Sequence, residues 1–468
     1  MMTYRYFSLL GAGLQSLAML FALLPGSLFA NAAHTHEYTL SNGLKLIVRE
    51  DHRSPVVISQ IWYKAGSIDE VNGVTGVAHV LEHMMFKGTK KVPAGEFSRR
   101  IAAAGGRENA FTSRDYTAYF QQLHKSRLPL AMELESDRMR NVILTEEEFS
   151  KEIKVVMEER RLRTDDQARA LVHEKMMATS YQAHPYRYPV IGWMNDLENM
   201  TVHDAKAWYD SWYAPNNAVL VVVGDVNPKE VFALAQKFYG PIKPGQASPL
   251  DKRKPQMEPK QVGIKRITVK APAQLPYLAM VYHAPALRKP STDWEPYALE
   301  MLAGVLDGNE SARLNKTLVR EHRIASSAGA SYDSTARGPG MFYLNGTPSE
   351  GKTPADLEAA LHAEVEKIIR EGVTEEELAR VKAQVVAAHV FQLDSMFFQA
   401  MEIGQLESIG LSYRDVNTIL QRLKSVTAEQ VRDVARKYLK DDVLTVAVLD
   451  PQPLEQKTSS APPAAMRH

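Results

Sequence analysis

Gly76-Val-Ala-His-Val-Leu-Glu-His-Met-Met-Phe-Lys-Gly-Thr89 is the stretch from which the rest of the chain is read. On an α-helix, positions i, i+3 and i+4 share one face. The imidazoles of His79 and His83 can therefore meet on one ion while the Glu82 carboxylate stands beside it. Neutral imidazole nitrogens hold Zn²⁺ at about 2.0–2.1 Å, and an open site takes three protein ligands with water in the fourth position. A third ligand has to come from elsewhere in the chain. The bland alternative is an amphipathic helix with two incidental histidines.

A second acidic cluster, Glu152-Ile-Lys-Val-Val-Met-Glu-Glu-Arg160, falls in a segment whose pattern predicts a helix from Glu146 to Arg163. Glu159 lies 76 positions after His83 and two helical turns after Glu152, so Glu152 and Glu159 project from one face. His-x-x-Glu-His is the inverted order of the His-Glu-x-x-His zinc signature. The combination resembles the pitrilysin-like, or inverzincin (M16), metallopeptidases, and among them the bacterial members similar to mitochondrial processing peptidase. The resemblance implies that His79, His83 and Glu159 hold zinc, that Glu82 is the general base, and that Glu152 is a carboxylate behind the ligands. The competing reading of Glu152 and Glu159 is a solvated helix face. Glu158 is the rival ligand, but it points about 100° around the helix from Glu159.

The chain has 468 residues, which suggests two or more domains, and 45% hydrophobic and 24% charged residues, the composition of a soluble globular protein. A formal net charge of +1 implies no nucleic-acid partner. Cysteine is absent, which excludes disulfides and cysteine nucleophiles and leaves His, Asp and Glu as metal ligands. Residues 1–32 carry one charge, Arg5, an apolar centre from Leu17 to Leu24, a Pro25-Gly26 break and small residues around Ala30-Asn31-Ala32. They read as a secretory signal with an Ala-x-Ala cleavage site, placing the mature chain in the periplasm. An uncleaved membrane anchor is the alternative, because the uncharged run is long enough to span a bilayer.

Asn42-Gly43 between apolar runs predicts a hairpin, and Val56 to Tyr63 predicts a strand. Arg107 to Thr112 reads as an extended segment, which is either an ordinary hairpin strand or an edge that binds peptide by adding a strand. Asn-Ala-Phe-Thr in it resembles the family's substrate-binding edge strand, which implies that Asn109 and Ala110 touch substrate. A lone His before Pro is more often structural, so His184 stays outside the metal set.

Five prolines between residues 241 and 259 mark a linker between a domain at 35–240 and a second at 260–450. The halves look like copies. Leu144-Thr-Glu-Glu-Glu-Phe matches Val373-Thr-Glu-Glu-Glu-Leu at an offset of 229, and Thr201 to Tyr213 resembles Thr427 to Leu439. A repeat of this length means a duplicated domain. At the 229 offset His79, Glu82, His83, Glu152 and Glu159 fall opposite Gly308, Ser311, Ala312, Val381 and Ala388, so one Zn²⁺ per chain is expected.

The segment around Leu318-Val-Arg320 resembles the family's second-domain element, in which an arginine and a tyrosine six or seven residues later bind substrate and stabilise the oxyanion. Arg320 matches the arginine, but Ser326 and Ser327 stand where the tyrosine is expected. A single oxyanion donor is worth about 2.7–4 kcal/mol. Either a substitute donor serves, or a partner subunit supplies an Arg/Tyr element, as in family members that divide these parts between chains; a dimer, with a paralogous subunit in the second case, is expected. Residues 451–468 read as a disordered tail.

The expected fold is α+β: two homologous domains, each a mostly antiparallel sheet with helices packed on it, facing each other around a cleft. The expected activity is zinc-dependent hydrolysis of peptides or unfolded segments. The alternatives are a non-catalytic core subunit of a related complex and a peptide-binding module with structural zinc. His/Glu ligation favours zinc over cobalt or manganese.

Overall fold

The computed structural model describes residues 34–454; the signal expected at 1–32 and most of the tail expected at 451–468 lie outside the described residues. The first half runs β1 (Thr35–Thr39), β2 (Lys45–Glu50), β3 (Val56–Tyr63), α1 (Val77–Met84), α2 (Glu96–Ala103), β4 (Arg107–Thr112), β5 (Thr117–His124), α3 (Leu128–Asn141), α4 (Glu146–Arg160), α5 (Ala168–Ser180), α6 (Met194–Asn199), α7 (Val202–Trp212), β6 (Ala218–Gly224) and α8 (Pro228–Phe238). The second runs β7 (Lys265–Pro272), β8 (Tyr277–Ala284), α9 (Glu295–Asp307), β9 (Ala325–Tyr332), β10 (Gly340–Pro348), α10 (Pro354–Glu371), α11 (Glu375–Gln392), α12 (Met396–Ile409), α13 (Val416–Ser425), α14 (Ala428–Tyr438) and β11 (Leu444–Gln452). The last strand thus runs two residues past the expected domain end at 450. No helix among the described residues is long and apolar enough to cross a membrane.

Each half builds one sheet. The first has the order β1-β2-β6-β3-β5-β4 and the second β7-β11-β8-β10-β9. Pairing is antiparallel except for β2 with β6 and β7 with β11. Every residue of the Ala-Val-Leu-Val-Val-Val-Gly run of β6 is buried, as a central strand covered on both faces requires. At the Asn42-Gly43 turn, Gly43 takes φ +86°, a conformation that glycine adopts without steric cost.

Each sheet keeps its own helices on one face and receives a helix from the other half on the opposite face. The α12 helix lies across β3 and β6, burying Ala400 and Ile403 against Ile58, Trp62 and Val221. The α5 helix lies across β7, β8 and β11, burying Val172, Met176 and Met177 against Val281 and Leu449. Polar contacts fix the exchange: Gln399 Nε2 donates to Asp51 (2.9 Å), Lys45 pairs with Glu407 (2.7 Å), and Arg337 binds Asp69 through both carboxylate oxygens (2.8 and 2.9 Å).

The 229 offset holds at α4 and α11 but not at the strands that carry the site. Following strand pairing, Lys45 of β2 corresponds to Lys265 of β7, and Thr112 of β4 to Tyr332 of β9, an offset of 220. The shift accumulates in a longer β9–β10 loop and in α10, which has 18 residues against 14 in α3. His83 meets Glu152 between α1 and α4; the equivalent contact between α9 and α11 is Gly304 against Val381, where a glycine Cβ would stand 2.5 Å from Val381 Cγ1. His79, Glu82 and His83 therefore fall opposite Glu300, Ala303 and Gly304, not Gly308, Ser311 and Ala312. The conclusion that the second half lacks the metal set is unchanged, because Glu300 has neither histidine beside it.

Glu300 accepts a hydrogen bond from the Ser334 hydroxyl, and burial pushes its carboxyl up to about 7. A carboxyl with a raised folded-state pKa keeps its proton better in the folded chain, so its contribution is full below about pH 4.5 and is lost as pH rises through about 7. Glu300→Gln is expected to raise the urea midpoint at pH 8 and leave it unchanged near pH 4.5. Equal midpoints at pH 8 would show that the carboxyl ionises freely.

The seat of α12 depends on Gly404, where an added Cβ would stand 2.0 Å from Trp62 Cε2. Trp62 is fully buried and its indole donates to Gln60 Oε1 (2.9 Å), so the ring has nowhere to go. Gly404→Ala is expected to cost about 1–3 kcal/mol, the usual range for overpacking. Calorimetry checks it, and an unchanged Tm would mean that α12 is not clamped on the sheet.

Candidate active site

The α1 helix has no capping side chain of its own. Its first residues are held by Glu70, which accepts from Gly76 N (2.8 Å) and Ala78 N (2.9 Å). Burial pushes this carboxyl up to about 8 despite the two amide donors. Asp196 at the start of α6 secures the preceding loop, accepting from Gly73 N, Thr75 N and the Thr75 hydroxyl (2.6 Å). Gly76 takes φ +87°, and a Cβ there would stand 2.6 Å from the Ile191 carbonyl oxygen.

The α4 helix starts at Thr145, whose hydroxyl accepts from Glu148 N, with three glutamates in the first turn against the helix dipole. The α-helix ends at Arg160, three residues before the expected end. A wider π-helical turn follows over Arg161–Asp165, closed by Asp166 N donating to Arg161 O (2.8 Å). Arg160 anchors this end, donating to buried Glu174 (2.8 and 3.1 Å) and to Gly192 O (2.8 Å).

Between α1 and α4 the structure brings His79, His83 and Glu159 together, one ligand atom of each lying within 4.8 Å of the others. Glu159 Oε2 is 3.3 Å from His83 Nε2 and 3.9 Å from His79 Nε2. Such a set fits a cation held by two imidazoles and a carboxylate. His83 is fixed from behind by Glu152, whose Oε2 is 3.3 Å from Nδ1 and which also pairs with Lys87. A carboxylate on the second ring nitrogen sets the tautomer so that Nε2 presents its lone pair. Glu158 points away to an ion pair with Arg161, which separates it from the cluster.

Burial, with His83 alongside, drops the His79 imidazole to about 4, so it is neutral near pH 7. Burial alone would lower His83, but the Glu159 and Glu82 carboxylates raise it. For Glu159, burial is overcome by His83, His79 and Arg163, and its carboxyl stays below the usual range. Burial raises Glu82, opposed by the Thr112 hydroxyl, which donates to Oε2 at 2.6 Å.

Thr112 ends β4, the outer strand of its sheet, so among the described residues no strand pairs with the outer edge of β4. Asn109 and Ala110 lie on this edge strand; the Asn109 side chain accepts from Ala110 N (2.9 Å), and Ala110 is half-buried against the core of the first half. Arg320 is exposed on a π-helical turn (Asn315–Glu321) leading into β9, and it does not line the cavity beside His79. The Ser326 hydroxyl donates to Thr347 O (3.2 Å). His184 is buried and caps a short turn through Nδ1, accepting from Tyr186 N (3.1 Å), away from the cluster. Sequence reading missed Thr112, Arg163 and the anchors Glu70 and Asp196. Arg163 had a signal, since it follows Glu159 by four residues; the others are set by long-range packing.

Residues 45–192 match the profile described as insulinase (peptidase family M16), and residues 199–385 match the profile described as the peptidase M16 inactive domain. The chain belongs to the M16 peptidase family. The zinc protease PqqE of Helicobacter pylori is 33% identical to it over 421 residues, covering 88% of this chain and 92% of that one. The uncharacterized zinc protease YmxG of Bacillus subtilis is 25% identical, covering 88% and 98%. The crystal structure of a protease from Helicobacter pylori superposes with a TM-score of 0.84 at 31% identity, covering 89% of this chain and 99% of that one. The M16 fold of two sheet-and-helix domains is thereby shared, and the relatives bear the name zinc protease.

Glu70 carries the helix that bears His79, Glu82 and His83. Glu70→Ala leaves two buried N–H groups without an acceptor and is expected to cost about 1–3 kcal/mol, with a smaller loss for Glu70→Gln, which keeps one oxygen. Urea unfolding of the three proteins checks the order. Equal stability of Ala and wild type would show that water replaces the carboxylate.

Proposed function

We propose that this protein is a zinc-dependent endopeptidase acting on peptides or unfolded polypeptide segments, with one Zn²⁺ on His79, His83 and Glu159. The observation that carries the reading is the convergence of two imidazoles and a carboxylate beside Glu82, whose side chain is held by a residue of the edge strand β4. When bound, the ion polarises a water and lowers its pKa.

The protein groups divide the remaining work. Glu82 takes the proton of the attacking water and returns it to the leaving amine. The Thr112 hydroxyl occupies Oε2, leaving Oε1 as the proton acceptor. The substrate lies extended along β4 at Asn109 and Ala110, recognised chiefly through its backbone. Glu152 is a positioning residue acting through His83. Arg320 is placed on the substrate side by family resemblance alone. No tyrosine follows it in register, so the chain is proposed to act as a dimer in which a paralogous partner supplies an Arg/Tyr element. The secretory character of residues 1–32 supports a periplasmic setting. The periplasmic protease PqqL of Escherichia coli has the same fold (TM-score 0.77 at 20% identity).

Cleavage of a quenched-fluorescent peptide mixture by the purified chain is the test, with metal content measured in parallel. Glu82→Gln is expected to keep one zinc per chain and to lose about a hundredfold or more in kcat. His83→Ala is expected to lose the metal, and chelation of the wild type is expected to abolish cleavage, with zinc restoring it. Unchanged turnover in Glu82→Gln would remove it as the base. Zinc-loaded but silent wild type, active only with a co-purified partner, would establish the divided site. Silence in every combination would leave a non-catalytic subunit.

A further inference from the structure

Next to the His/Glu cluster lies a cavity of about 400 Å³ whose walls include His79 and Thr112 on one side and Arg114, Arg163, His173 and Arg187 around it. The acidic groups close to it are already engaged. Glu159 is paired with Arg163, Glu174 with Arg160, and Asp115 accepts from the Tyr186 hydroxyl and from Arg337 N. Arg114 and Arg187 have no such counterpart. Arg187 donates to the Gln182 carbonyl (2.7 Å), and half-buried Arg114 donates a hydrogen bond to the Tyr343 hydroxyl, has the His173 Nε2 at 3.5 Å and the Tyr186 ring 5.5 Å below it, and feels the Asp115 carboxylate without an ion-pair contact. Among the described residues, neither guanidinium has a carboxylate within 4 Å.

A guanidinium withdrawn from bulk water without a carboxylate in direct contact keeps donors to offer, and its planar fork matches a carboxylate through two parallel hydrogen bonds. His173 does not compete for that anion as a second cation. Shielding from water, with Arg114 beside it, drops its imidazole to about 4, so it is neutral at physiological pH. The position of the cavity ties it to the reaction. Thr112 both donates to Glu82 and lines the cavity, and Arg114 follows two residues later. Arg114 sits in the turn just past the end of β4, so a peptide laid on β4 with its scissile bond at Glu82 runs on toward this turn and brings a neighbouring residue to Arg114.

We propose that this cavity is a substrate subsite that selects a carboxylate near the cleaved bond, with Arg114 as the residue that reads it and Arg187 as a second cation on the wall. The carboxylate is either an Asp or Glu side chain of the peptide or its free C-terminus. The inference rests on the peptidase reading above for its place in catalysis, but the recognition itself does not require turnover.

The test uses peptide pairs that differ by Glu against Gln at single positions around the cut, each as free acid and as C-terminal amide. They are measured two ways: as kcat/KM with the wild type, and as binding by fluorescence anisotropy to the Glu82→Gln protein. At one position Glu is expected to be favoured over Gln by about tenfold or more, the effect of one charge-assisted hydrogen bond. Alternatively, the free acid is favoured over the amide by the same factor. Arg114→Gln is expected to bring that ratio close to one while neutral peptides are still cut. Because the ratio is taken within one protein, general damage from the substitution cancels. Should Arg114→Gln fail to fold, Arg187→Gln is read the same way and is expected to reduce the ratio. No preference in the wild type, or a preference that survives both substitutions, overturns the subsite. Discrimination in binding without cleavage of any peptide, with or without a co-purified partner, supports the subsite and removes the peptidase reading, and cleavage without discrimination does the reverse.

Discussion

The close approach of α1 to α4 is the constraint on which the site depends. His83 is gripped between two carboxylates two turns apart on one helix, Glu152 on Nδ1 and Glu159 on Nε2, each at 3.3 Å. That grip fixes the rotation of α1 and with it the directions of His79 and Glu82. Holding two carboxylates and two imidazoles in a half-buried space is unfavourable unless charges are balanced. The balance comes from Lys87, four residues after His83, and Arg163, four residues after Glu159. The helix ends are then fixed from outside by Glu70 and by the Arg160–Glu174 pair. The chemistry occupies one face of a helix of eight residues, and such a short helix holds its position through tertiary contacts rather than its own propensity.

The second half shows the same scaffold without that chemistry. Where His83 faces Glu152, Gly304 lets α9 close directly on Val381, so an apolar contact replaces an ionic one. The pair of helices survives because both arrangements fill the same space above a sheet of the same topology. The exchange of α12 and α5 between halves explains why neither domain reads as an independent body. Each sheet would expose an apolar face without the other half's helix, and Trp62 or Val281 would lie open to water.

The duplication and the two-sheet fold were legible because turn residues, alternating strands and helix caps are local signals. The Thr-Glu-Glu-Glu starts of α4 and α11 are visible to the eye and are capped by Thr145 and Thr374 in the structure. The proximity of His79 to His83 follows from helical spacing alone. Their meeting with Glu159 was expected from family resemblance, because nothing in helix geometry joins residues 76 apart. The register between halves was misjudged around α1, since one offset cannot cross loops of different length. The helix exchange had no local signal at all. Neither did Glu70, which is six residues from Gly76 in sequence and acts only because the loop folds back on itself.

The unpaired cations have the same origin. Sequence shows 56 basic and 55 acidic residues, and from that near balance no site of excess charge follows. Folding sorts the charges: Glu174 is spent on Arg160 to hold the end of α4, and Asp115 turns toward Tyr186 and Arg337 to join the halves. What remains at the cavity is positive, although Arg114 and Asp115 are neighbours in the chain. A positively charged cavity wall of this kind arises from how the scaffold pairs its carboxylates. Only after the contacts that hold α4 and bind the two halves are assigned does the charge left facing the cavity become visible.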